Sequence, residues 1–201
     1  MCTVTKYEGS KGELRRALLA VRAGLTADDV TAAGEALARH ALELPELTGA
    51  RTVAAYVSVG SEPGTRPLLE ALRARGVRVL LPVLLPDNDL DWAEYTGPDG
   101  LVRARRGLLE PAGGRLGPDA VTGADAVLLP GLAVDGRGMR LGRGGGSYDR
   151  VLARLARAGA DPALVALLYD DEVVARVPDE PHDHLVHAAV TPSAARRFTA
   201  V

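Results

Sequence analysis

Two stretches of this chain, VRVLLPVLL at residues 77–85 and AVLLPGLAV at residues 126–134, are nearly unbroken apolar runs. A strand with one wet face alternates apolar and polar residues. Runs without alternation belong to strands buried on both faces, the pattern of a parallel sheet covered by helices on each side. A third run, TVAAYVSV from Thr52 to Val59, is rich in residues that favour strands. Between it and residues 77–85, Pro67 opens a helix carrying Leu68, Leu69 and Leu72, and Gly76 stops it. Strand, helix and strand form one crossover unit, and such crossovers are almost always right-handed.

The rest of the chain extends this pattern. Ser10 with Glu13 reads as a capping box, after which Leu14, Leu18, Val21 and Leu25 share one helical face. Thr26 with Asp29 repeats the signal for a second helix, with Val30, Ala33, Leu37 and Leu44 inward and its end near Pro45. In the less regular middle, LDWAEY has strand character, PDG is a turn and residues 107–117 read as a loop. YDRVLARLARAG is a helix with Val151, Leu152 and Leu155 inward. ALVALLY is a strand, LVHAAVT is the final strand, and a short basic turn surrounds Arg196 and Arg197. With no repeat or linker in 201 residues, residues 1–201 are expected to form a single domain. The expected fold class is α/β, a three-layer, Rossmann-like sandwich with a mostly parallel central sheet and helices on both faces.

Composition narrows the function. A formal charge of −2 is too balanced for the counterion release that drives nucleic-acid binding, so DNA and RNA are not expected partners. The one cysteine, Cys2, leaves no intrachain disulfide or thiolate metal site. No stretch reaches the roughly 20 apolar residues of a membrane span, and the first residues lack a signal-peptide core. The expectation is a cytoplasmic monomer that touches neither nucleic acid nor membrane. Only 3% of residues are aromatic, so Trp92, Tyr56 and Tyr148 stand out.

The densest signal is GLAVDGRGMRLGRGGG, seven glycines from Gly131 to Gly146 interleaved with Arg137, Arg140 and Arg143 and followed by Ser147, Tyr148 and Asp149. Glycine lets backbone approach a ligand closely and permits the positive dihedrals that aim successive N–H groups at one anion. A helix starting near Tyr148 adds its positive end, the arginines add fixed charge, and Asp149 supplies a carboxylate suited to magnesium. Together they suit a triphosphate. The alternative, a flexible loop with solvated arginines, accounts for neither the arginines nor the YD that follows. There is no GxxxxGK, and the spacing fails GxGxxG because Leu141 and Ser147 occupy the third-glycine positions.

The string RLGRGGGSYDR, preceded by PGLAVDGRGM, resembles the signature of the 5-formyltetrahydrofolate cyclo-ligases, PGxxFDxxGxRLGxGxGYYD. Companion likenesses follow in order along the chain: KGELR at Lys11 to Arg15, Glu62 in YVSVGSEPGT, LLEP at Leu108 to Pro111, and PHD at Pro181 to Asp183. The resemblance implies a ligase that uses ATP and Mg2+ to convert 5-formyltetrahydrofolate, polyglutamylated or not, into 5,10-methenyltetrahydrofolate, releasing ADP and phosphate. The formyl oxygen takes the γ-phosphoryl group, the other folate nitrogen attacks, and phosphate leaves, so no protein nucleophile is needed.

Position by position, the resemblance implies nucleotide contacts at Lys11, Arg15, Arg140, Leu141, Gly142, Arg143, Gly144, Gly145, Gly146, Ser147 and Tyr148. It places Val57, Glu62 and Tyr148 against folate, gives Arg143 and Tyr148 the catalytic contacts, and assigns the metal to Asp149 and Asp183. Read from their neighbours alone, Lys11 and Arg15 are equally two solvated charges on one helical face, Glu62 is a turn residue ahead of Pro63, and Val57 is core. Asp183 likewise sits in an acidic loop, PDEPHDH, whose histidines His182 and His184 also suit a solvated turn. The run Arg103, Arg105 and Arg106 is either a contact for a glutamate tail or a solvated surface. The sequence departs from the family pattern at Gly145 and Ser147, where many members carry lysine and tyrosine, and at Val134 in place of phenylalanine. Gly145 and Ser147 favour a second reading, a nucleotide or phosphosugar binding module without chemistry on the same scaffold.

Overall fold

The capping signals at Ser10 and Thr26 open the first two helices of the computed structural model, which describes residues 9–180 and 183–198. Helix α1 spans Lys11–Arg22 and α2 spans Ala27–Ala41. In each, the cap side chain accepts the N–H three residues on while that residue's carboxylate accepts the cap N–H. Such a cap is worth about 1 kcal/mol. A short α3, Pro45–Thr48, leads into β1, Thr52–Ala54; then come α4, Arg66–Ala74, β2, Arg78–Leu84, and β3, Leu90–Glu94. A hairpin of β4, Leu101–Arg103, and β5, Leu109–Pro111, precedes β6, Ala126–Pro130, β7, Ala133–Asp135, and β8, Arg140–Leu141. The chain finishes with α5, Ser147–Ala158, β9, Ala163–Leu167, β10, Val173–Val174, β11, Ala188–Val190, and β12, Ala195–Arg197.

The central sheet has the order β12-β11-β9-β6-β1-β2-β3. Its inner five strands are parallel, and β3 and β12 close the edges antiparallel. Alternate residues of the buried strands face opposite sides. Val53, Val79, Leu128 and Val165 pack with α2 and α4, while Ala54, Leu80, Val127, Leu129 and Ala166 pack with α5 and Trp92. Both faces are therefore covered, as the unbroken apolar runs require. A second sheet, β10-β7-β8, shares an apolar cluster with α1 through Leu14, Leu18, Leu132, Met139 and Leu141.

The chain turns one way from β1, through α4 to the neighbouring β2, and the other way from β6, through α5 to β9. The crevice between the carboxyl ends of β1 and β6 is thus a topological switch point, where sheets of this kind bind ligands. Helix α2 meets the loop after β1 from behind through Gly34. A Cβ there would stand 2.7 Å from the Gly64 carbonyl, so helix and loop touch backbone to backbone.

Several sequence expectations change. AVLLPGLAV is not one strand, because Pro130 offers no N–H and Gly131 breaks the run, sending β7 into the second sheet. TVAAYVSV pairs as a strand only over Thr52–Ala54; beyond it, Ser58 and Thr65 exchange side-chain and backbone bonds that close a loop. The loop at residues 107–117 contains β5, and the basic turn around Arg196 is the edge strand β12. Val21 is 52% exposed, whereas Arg22, next to it, is 1% exposed. Among the described residues no helix is long and apolar enough to cross a membrane. Cys2, Pro181 and His182 lie outside the described residues.

Candidate active site

The switch-point crevice opens into a cavity of about 340 Å³. One wall is the loop after β1, with Tyr56, Val57 and Glu62; the opposite wall is Pro130, Arg140 and residues 142–149. The β4–β5 hairpin supplies a third side through Leu108, Leu109 and Glu110. The glycine loop and the glutamate that sequence reasoning singled out therefore face one space.

Why glycine occupies the loop is visible at two positions. Gly144 has φ +89° and Gly146 φ +77°, the left-handed region that disfavours a side chain. The loop also lies directly on guanidinium groups: a Cβ at Gly142 would stand 2.9 Å from Arg140 Nη1, and one at Gly144 would stand 3.4 Å from the Arg15 guanidinium carbon. Arg15 Nε donates to the Gly142 carbonyl at 2.9 Å, a contact set up by the seating of α1 on the second sheet. Gly146 caps α5 without a side-chain hydrogen bond, so the first-turn N–H groups of that helix are left for another acceptor at the cavity wall. Gly145 differs from its neighbours: it has open space where a Cβ would stand and no positive φ.

Beneath the loop Arg140 is nearly enclosed. Its Nη1 donates to the Pro130 carbonyl at 2.9 Å, its Nη2 meets Asp149 Oδ1 at 3.4 Å, and its Nε has no partner. Burial works against its charge, with Asp149 offsetting part of that effect and Tyr148 and Asp183 also contributing; an arginine remains protonated regardless. The hydroxyls of Tyr56 and Tyr148 are likewise buried without partners, and burial raises the pKa of both, so they stay neutral donors. Three orphaned polar groups around one cavity, each costing about 1–3 kcal/mol unpaired, mark a place that a polar ligand or water completes.

Across the cavity, Glu62 Oε2 accepts the Val59 N–H at 2.9 Å and Oε1 meets Arg143 Nη1 at 3.3 Å. Burial pushes the Glu62 carboxyl above its ordinary range, with the Val59 N–H, Arg143 and Arg22 opposing that rise. Lys11, Arg15, Leu141 and Asp183 are not among the residues that line the cavity. Lys11 Nζ bonds to Asp183 Oδ2 at 2.6 Å and to Glu180 at 2.9 Å, so the N-terminal cation and the second metal candidate hold each other. Leu141 is buried under α1, with its side chain in the core rather than in the cavity. Asp149 is 61% exposed and borders the cavity. Among the described residues no group of three or more His, Cys, Asp or Glu side chains forms a metal cage. Magnesium needs none, since it takes one or two carboxylates together with phosphate oxygens and water.

The sequence model of the 5-formyltetrahydrofolate cyclo-ligase family matches residues 7–192. The chain belongs to this family. It is 43% identical over 189 residues to the 5-formyltetrahydrofolate cyclo-ligase of Mycolicibacterium smegmatis, covering 91% of this chain and 94% of that one. It is 34% identical over 174 residues to the enzyme of the same name from Escherichia coli K12, covering 86% and 94%. The solution structure of Aquifex aeolicus 5,10-methenyltetrahydrofolate synthetase superposes with a TM-score of 0.78 at 28% identity, over 94% of this chain and 92% of that one. The cyclo-ligase family is a family of ATP-dependent ligases, and its fold is the α/β arrangement described above.

Sequence reasoning missed three buried residues next to the site, Arg22, Tyr169 and Glu172. Arg22 follows Leu14 and Leu18 at four-residue steps, so its place on the inward face was readable. Its charge argued the other way, and its partner lies 150 residues further along the chain.

Proposed function

We propose that this chain closes the ring of 5-formyltetrahydrofolate to give 5,10-methenyltetrahydrofolate, using ATP as phosphoryl donor and releasing ADP and phosphate, as a cytoplasmic monomer. The supporting observation is that the glycine loop and Glu62 line one cavity at the switch point, with a phosphate cradle on one wall and a buried carboxylate on the other. That juxtaposition also weighs against a binding module without chemistry, which has no need of the second wall.

The geometry supports a role for each residue. The glycine-loop N–H groups, the start of α5, Arg15 and Arg140 hold the phosphates, and Lys11 and Ser147 flank them. Arg143, half exposed and paired with Glu62 across the cavity, meets the charge that develops on the transferring group. Glu62 accepts the paired N–H donors of the pterin, with Val57 against its apolar face. Tyr148, with Tyr56 behind it, offers a neutral hydroxyl to the reacting oxygen. The formyl oxygen forms a bond to the γ-phosphorus as the bond to ADP breaks. The other folate nitrogen, the exocyclic amine outside the pterin ring, then bonds to the formyl carbon and gives up its proton, and phosphate leaves with the formyl oxygen. Magnesium, held by Asp149 and Asp183, would neutralise phosphate charge. Catalysis is therefore positioning and charge stabilisation. Arg106 lines the cavity, which supports a contact with a polyglutamate tail.

The test is direct. Purified protein with 5-formyltetrahydrofolate, ATP and magnesium should generate the absorbance of the methenyl product. Folded protein that gives no ATP-dependent signal rejects the proposal. Calorimetry separates the alternative, in which ATP binds and folate does not.

A further inference from the structure

Three loops leave the carboxyl ends of the adjacent strands β1, β6 and β9, and one buried cluster joins all three. Arg22, the last residue of α1, donates from Nε to Glu172 Oε1 at 2.6 Å and from Nη2 to Glu172 Oε2 at 2.8 Å. The same Nη2 donates to the Gly131 carbonyl, in the loop after β6, at 2.7 Å. Glu172 Oε2 also accepts the Tyr169 N–H at 2.9 Å, and the Arg22 guanidinium stands 5.5 Å from the centre of the Tyr169 ring. Tyr169, in the loop after β9, completes the link by donating its hydroxyl to the Ser61 carbonyl at 3.1 Å.

Ser61 lies inside the turn that aims Glu62. That turn is closed by the Glu62 N–H on the Val59 carbonyl at 3.2 Å and by the Val59 N–H on Glu62 Oε2 at 2.9 Å. A shift at Ser61 therefore rotates the carboxylate. Stability alone is a weak reason for such a cluster, because buried ion pairs replaced by apolar residues of similar volume often leave a protein as stable or more so. What an apolar cluster lacks is direction: hydrogen bonds fix the relative heights of three loops, of which those after β1 and β6 line the cavity.

We infer that Tyr169 is a positioning residue for Glu62, holding the Ser61 carbonyl so that the carboxylate meets the folate, with Arg22 and Glu172 anchoring Tyr169 to the loop after β6. The inference rests on the folate reading of Glu62.

Tyr169→Phe tests it, since it removes the hydroxyl and keeps the ring over Arg22. Folate KM should rise about five- to tenfold, the worth of one hydrogen bond of about 1 kcal/mol. ATP KM and kcat should stay within about twofold, and the melting temperature should fall by no more than about 2–4 °C. In a Glu62→Gln background the same change should add less than about twofold, because two residues acting through one contact are not additive. An unchanged folate KM, an equal rise for both substrates, or the full effect repeated in the Glu62→Gln background would overturn the assignment. Calorimetric folate titration reads the same effect without turnover. Wild-type protein that binds folate but does not convert it fails the catalytic reading alone; protein that binds no folate fails both.

Discussion

Glu62→Gln should weaken folate binding while leaving the protein at least as stable at neutral pH, a combination that separates a ligand contact from a structural one. The wild-type side chain is 9% exposed, and burial raises its pKa. Its ion pair with Arg143 spans 3.3 Å to a partner that is 48% exposed, so losing that pair costs at most about 1 kcal/mol. The Val59 N–H keeps an acceptor, because the amide oxygen of glutamine replaces Oε2. A carboxyl whose folded pKa lies above its unfolded value favours folding most below the unfolded pKa, and that contribution is lost as pH rises through the folded value. Glutamine has no such loss. The melting temperature of the variant minus that of wild type should therefore increase from about pH 4 to about pH 7. Folate pays the difference: two carboxylate oxygens become one acceptor, and the new NH2 faces a donor. A lost hydrogen bond to a charged group is worth about 1.5–3 kcal/mol, or roughly ten- to a hundredfold in folate KM, with ATP KM within about threefold. Steady-state kinetics with each substrate varied in turn, and thermal melts across pH, provide the check. Equal effects on both substrates, or a neutral-pH melting temperature several degrees below wild type, would refute the reasoning.

Asp149→Asn should lower magnesium-dependent turnover by about a hundredfold while thermal melts stay at the wild-type midpoint, because the side chain is 61% exposed. Wild-type turnover across a magnesium titration would show that the metal is held elsewhere. Gly145→Lys should be accommodated without strain, given its open surroundings and ordinary φ, and should lower ATP KM by about three- to tenfold through one added phosphate contact. That gain should shrink in high salt, since the new charge is exposed; an unchanged or higher ATP KM at low salt would mean the position does not face the phosphates.

What could be read beforehand was whatever local pattern dictates. The capping boxes at Ser10 and Thr26 fixed both helix starts, and the buried runs announced strands covered on two sides. Glycine density marked the loop that lines the cavity because positive φ at Gly144 and Gly146 is a backbone demand that few residues meet. Features set by partners far along the chain stayed hidden. Lys11 finds Asp183 across 172 positions, and Arg22 finds Glu172 across 150. Neither charge announces its partner locally. The edge strand Ala195–Arg197 carries no apolar face and is defined only by its pairing with β11. Pro130 and Gly131 look like an interruption only once the second sheet shows where the chain goes next.

The contact between Gly34 and Gly64 carries a consequence for anyone reshaping the substrate wall. The loop that presents Glu62 is braced from behind by bare main chain on a helix whose own residues never reach the cavity. A scan limited to cavity-lining positions would overlook Gly34. Even one methyl group added there would push on the Glu62 wall of the cavity from outside, producing what a kinetic assay would record as altered substrate preference.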